Sequence, residues 1–107
     1  MKLPRAHQAI VAGSKVTGYL LSQTHPHGRH KAAFFSQFGF TSNDWQALAH
    51  ALLTHAQEPD VYSVEDTIFG TRYTIEGSFP TPSGQTPMLR SVWFIQEGLD
   101  DPQFVTA

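Results

Sequence analysis

The apolar positions change period once along the chain: up to residue 58 they recur at helical spacing, and beyond it they alternate. Val16, Tyr19, Leu20 and Leu21 follow Ser14, a suitable N-cap, and predict a short helix over residues 15 to 22. After a loop containing Pro26 and Gly28, the stripe Phe34, Phe35 and Phe38 predicts a second helix, with Gly39 as its stop signal. Thr41, Ser42, Asn43 and Asp44 offer cap oxygens to the longest pattern, in which Trp45, Leu48, Leu52 and Leu53 join Ala49 and Ala56 over about four turns. Glu58-Pro59-Asp60 ends it, because proline cannot continue the hydrogen-bond ladder.

From there the pattern is that of strands. Val61 to Ile68 suits one strand, and Tyr73, Ile75 and Phe79 alternate with polar neighbours in the next. Leu89, Ser91, Trp93 and Ile95 alternate with Arg90, Val92, Phe94 and Gln96 in a third, whose two apolar-rich faces suit a central position. The proline-rich stretch from Pro80 to Pro87 reads as a hairpin loop, and Phe104-Val105-Thr106 as a further strand. Helices first and strands afterwards predict an α+β fold, with N-terminal helices packed on one face of a C-terminal antiparallel sheet of three to five strands. We expect a single domain over residues 1–107, its helical part spanning 1–58 and its sheet part 59–107.

Composition sharpens this in two ways. The chain has 107 residues and no cysteine, so disulfides, thiolate metal sites and cysteine nucleophiles are excluded, and packing must hold the fold. The formal charge of −2 conceals a division. Residues 1 to 43 carry Lys2, Arg5, Lys15, Arg29 and Lys31 without one carboxylate, whereas the remainder sets Arg72 and Arg90 against all nine acids. That argues against paired-acid chemistry in the first part and favours an anion there. No segment approaches the roughly 20 apolar residues of a membrane span, and Lys2, Pro4, Arg5 and His7 do not suit a signal peptide, so a cytoplasmic protein is expected.

The densest chemistry lies in His25-Pro26-His27-Gly28-Arg29-His30-Lys31, at the opening of the second helix. Imidazoles exchange protons near neutral pH, while guanidinium and ammonium groups neutralise charge on phosphate oxygens. RNA brings its own nucleophile, the 2′-hydroxyl, and needs no metal. Two other uses compete: a zinc site built from His25, His27 and His30, and a basic loop that docks an acidic partner. Phe34, Phe35, Phe38, Trp45 and Trp93 read as core. Arg72 and Arg90 suit either a carboxylate or a phosphate, and Thr106 suits a phosphate oxygen if the sheet brings it beside the first helices.

Three blocks resemble a family of small bacterial domains of unknown function, found as free proteins and as C-terminal modules of polymorphic toxins. The first block is Tyr19-Leu20-Leu21, His25-Pro26, Gly28-Arg29-His30-Lys31, Phe35 and Gly39. The second is Phe69-Gly70, Arg72-Tyr73 and Ile75; the third is Arg90-Ser91, Trp93, Ile95, Gly98, Pro102 and Val105-Thr106-Ala107. Similar toxin modules belong to the barnase, EndoU, colicin and RelE superfamily of metal-independent ribonucleases. The resemblance implies cleavage of RNA by transesterification without a cofactor. His30 is then the acid or base, Lys31, Arg29 and Arg72 contact phosphate, Thr106 supplies a hydroxyl, and His25 or His27 acts as a second proton donor. It also implies RNA and a cognate antitoxin or immunity protein as partners, or else a non-enzymatic role in such a pair.

Overall fold

The computed structural model describes residues 1–107, and it is an α+β fold of three helices and one four-stranded antiparallel sheet. Helix α1 (Gly13–Lys15) runs on into a π-helical turn (Val16–Leu20). The helix therefore starts and ends about two residues before the predicted 15 to 22, and Ser14 is not its cap: Ala12 holds that position, with no side-chain bond. The π turn widens the backbone at Val16 to Leu20, and it buries Val16 and Leu20 together.

Helix α2 (Arg29–Gln37) buries Ala32 and Phe35 and stops at Gly39, whose φ of +97° is a conformation that side chains other than glycine resist. Thr41 accepts a hydrogen bond from the Asp44 N–H at 3.3 Å and opens a 3-10 turn (Ser42–Asp44), from which α3 (Trp45–Gln57) continues. No helix is long and apolar enough to cross a membrane.

The strands β1 (Val61–Thr67), β2 (Gly70–Ser78), β3 (Met88–Gln96) and β4 (Gln103–Thr106) lie side by side in chain order, each antiparallel to the next. The register puts Tyr73 opposite Trp93 and Ile75 opposite Ser91 on the helix-covered face. Arg72 opposite Phe94 and Glu76 opposite Arg90 lie on the other, uncovered face. Trp93, Phe35, Phe79, Leu20, Leu48, Leu52 and Ile75 are fully buried between helices and sheet. Each such side chain contributes about 1.5–3 kcal/mol, which is how a chain without cross-links stays folded.

Two polar groups enter this core. Trp93 Nε1–H donates to Ser91 Oγ at 2.9 Å, and Ser91 Oγ lies 2.8 Å from His55 Nδ1. The other ring nitrogen of His55 faces the Gly77 carbonyl at 3.3 Å, so the network assigns its proton to Nε2 and leaves Nδ1 to accept from Ser91. Burial pushes the His55 pKa below its ordinary value of 6.5, against the opposing pull of the Gly77 and Leu89 backbone groups and of Glu58.

β4 is short, and other segments close its outer side. Ile10 bridges to Gln103 in parallel, its N–H reaching the Pro102 carbonyl at 2.8 Å while its own carbonyl takes the Phe104 N–H at 2.9 Å. Past a bulge, Thr106 stands opposite Val92. This brings the end of β4 beside α1 and the start of α2.

Candidate functional site

The loop from His25 to Gly28 is folded around one imidazole. His25 Nδ1 accepts the main-chain N–H groups of His27 and Gly28, each at 3.0 Å, and so closes the loop that leads into α2, whose N-cap is Gly28. Accepting on Nδ1 places the proton of neutral His25 on Nε2. The loop then packs on the π turn, where the Tyr19 ring meets the His25 ring edge-on with centroids 5.0 Å apart. Gly28 comes so close to this turn that a Cβ there would lie 2.1 Å from the Tyr19 carbonyl oxygen. Its φ of −83° is open to any residue, so the need for glycine is one of space.

The end of β4 gathers the basic segment around it. Lys31 Nζ donates to the main-chain oxygen of Ala107 at 2.7 Å, across 76 residues of chain. The Tyr19 hydroxyl lies 3.2 Å from Thr106 Oγ1, across 87. Two depressions flank this strand end. One, of about 360 Å³, is lined by His30, Lys31, Phe34, Phe35, Met88, Leu89, Arg90 and Ala107. The other, of about 470 Å³, lies against Lys15, Tyr19, His25 and Thr106. Neither has a carboxylate side chain in its wall.

The sequence-derived candidates thus divide. His25, His30, Lys31 and Thr106 surround one strand end. His27 and Arg29 are exposed on the same loop and first turn, and the His27 ring is 6.0 Å from that of His25. Arg72 lies apart, on the uncovered face two strands from β4, where its register partners are Phe94 and Glu65 and no ion pair holds it. Arg90 takes the carboxylate option: it donates to Glu76 at 2.6 and 3.0 Å and stacks on the Tyr62 ring at 4.8 Å, and the Glu76 carboxylate raises its pKa further.

The three imidazoles of the zinc alternative are not gathered in this structure. No three of the chain's His, Asp and Glu side chains come together as a ligand set, and Nδ1 of His25 is engaged in closing the loop. Two side chains at the strand end escape sequence periodicity. Tyr19 counts there as an apolar helix position, and Lys15 as an ordinary surface charge. Tyr19 opens the first block of the family resemblance, and Lys15 is marked only by its place in a segment free of acidic side chains.

The family described as Domain of unknown function (DUF6883) matches residues 2–107. A chain of the contact-dependent growth inhibition toxin–immunity protein complex from Klebsiella pneumoniae 342 is similar in fold, with a TM-score of 0.72 at 17% identity. The alignment covers 91% of this chain and 95% of that one. No curated protein matches the chain in sequence.

Proposed function

The chain belongs to the DUF6883 family of domains of unknown function, and we propose that it is a toxin-type ribonuclease that cleaves RNA by attack of the 2′-hydroxyl, without a metal. The observation that carries this is the pair of long-range ties at the end of β4, Lys31 to Ala107 and Tyr19 to Thr106, which sets His30 and Lys31 on one side of the strand end and Tyr19, His25 and Thr106 on the other, with no acidic side chain in either wall. Further support comes from the fold shared with a chain of a toxin–immunity complex.

His30 takes the 2′-hydroxyl proton, and the alkoxide attacks phosphorus. Lys31 neutralises the charge that builds on the non-bridging oxygens, and Thr106, which lines the neighbouring depression, offers its hydroxyl to the adjoining phosphate. The bond to the 5′-oxygen breaks, leaving a 2′,3′-cyclic phosphate and a 5′-hydroxyl. The loop returns the proton: the ring nitrogens of His27 make no internal hydrogen bond, whereas His25 Nδ1 is already engaged. Arg29 and Arg72 meet flanking phosphates, Arg72 from across the sheet.

Purified protein incubated with RNA in EDTA is expected to yield cyclic-phosphate ends, and His30→Ala to lower the rate by about 10²- to 10⁴-fold. Intact RNA with the unaltered protein, or equal cleavage by His30→Ala, removes the ribonuclease role. Intact RNA together with stable co-purification of a neighbouring gene product would assign the chain instead to the interaction side of such a pair.

A further inference from the structure

We propose that the depression formed by Lys15, Tyr19, His25 and Thr106 is a second phosphate subsite, which holds the phosphate next to the one at His30 and Lys31 along a single RNA strand. The proposal rests on the ribonuclease role for the identity of its ligand as a polynucleotide.

Unused hydrogen-bond donors line this depression. The Lys15 ammonium makes no ion pair and no hydrogen bond, and it stands 5.9 Å from the centroid of the Tyr19 ring. The loop geometry keeps the proton of neutral His25 on Nε2, and no acceptor within the chain meets it. Tyr19 and Thr106 share one hydrogen bond between two hydroxyls, so one O–H of the pair has no acceptor. Ser14 adds another hydroxyl to the wall. A half-open cavity of about 470 Å³ that is rich in donors and lacks a carboxylate in its lining selects an anion.

Its position specifies which anion. Thr106 lines this depression and Ala107 lines the one with His30 and Lys31, so consecutive residues of one strand end separate the two. Neighbouring phosphates of a single strand are joined through one nucleotide, so a strand that crosses this wall presents one phosphate to each side. The two depressions also differ in character. The first mixes its cations with Phe34, Phe35, Met88 and Leu89, which suits a sugar or base face, while the second has fewer apolar side chains in its wall.

The test uses 2′-O-methyl oligonucleotides, which bind but lack the attacking hydroxyl, with affinities followed by amide chemical shifts. A dinucleotide supplies one phosphate and a trinucleotide two. Lys15→Ala is expected to weaken the trinucleotide by about three- to tenfold and leave the dinucleotide unchanged, and to reduce the salt dependence of trinucleotide binding by about 0.7 in log–log slope. Tyr19→Phe is expected to act in the same direction by a smaller factor. Amides of Lys15 and Gly18 should shift with the trinucleotide but not with the dinucleotide.

Equal loss at both lengths, no loss at either, or saturation of the Lys15 amide by inorganic phosphate as tightly as by the trinucleotide would overturn the subsite. Failure here separates cleanly from failure of the enzymatic role. Length-dependent binding without RNA cleavage keeps the subsite and removes the ribonuclease; cleavage that Lys15→Ala leaves unchanged on long RNA removes the subsite alone.

Discussion

The two edges of the sheet treat the same structural problem in opposite ways. β1 runs seven residues with almost every side chain exposed, carries Glu65 and Asp66, and ends in a tip where Ile68 and Phe69 are 87% and 71% exposed. β4 is four residues long, is bridged by Ile10 at its start, and is tied by Tyr19 and Lys31 at its end. An edge strand left open is a template for pairing, and charge on β1 is the usual deterrent. At β4 the deterrent is coverage by the chain itself, by the Ile10 backbone at its start and by an ammonium and a phenol hydroxyl at its end. The acid-rich edge therefore reads as solvated surface, while the edge free of acidic side chains is where an anion can be held.

Three changes test that contrast, beginning with the largest expected loss of stability. Gly28→Ala drives a Cβ into the Tyr19 carbonyl and pushes the histidine loop off the π turn. We expect a loss of about 1–3 kcal/mol in urea unfolding, together with a weakened site. A stability within experimental error of the unaltered protein would show that the loop is not held by this contact.

The second change concerns the sheet between its edges. His55 is 2% exposed and its pKa is lowered on folding, so the unfolded chain binds the extra proton. Its contribution is complete above pH 6.5 and is lost as pH falls below that value toward the folded pKa. Thermal melts should show Tm dropping through this range, and His55→Gln should flatten the drop. A pH dependence unchanged in that variant would assign the acid sensitivity to other groups.

Smallest of the three is Arg72→Ala. The side chain is exposed, unpaired and two strands from Thr106, so stability should stay within about 0.5 kcal/mol. RNA cleavage should fall far less than with Lys31→Ala. A comparable fall in both would move Arg72 from the flanking strand to the scissile phosphate and erase the difference between the sheet's covered and uncovered faces.

Much of the architecture was legible in residue spacing. The change of period near Glu58, the stop at Gly39, the cap at Thr41 and the proline-rich loop are local signals, and the observed α2, α3, β2 and β3 follow them. The start of the first helix was misplaced because a π turn and an Ala12 cap carry no spacing signature of their own. The division of charge into a carboxylate-free segment of 43 residues and an acidic remainder was likewise plain in the sequence.

By itself, then, the sequence determined the order of helices and strands, the buried stripe of each, and the loop where imidazoles and cations concentrate. Only the tertiary structure decided which of these groups stand together. It joined Tyr19 to Thr106 and Lys31 to Ala107, released Arg72 to the uncovered face, paired Arg90 with Glu76, and made His25 the acceptor that closes its own loop. The physical reason is the range of the forces involved. Periodicity and capping act over a turn or two of backbone, whereas contacts across 76 and 87 residues exist only once burial of the apolar stripes has fixed how helices and sheet pack.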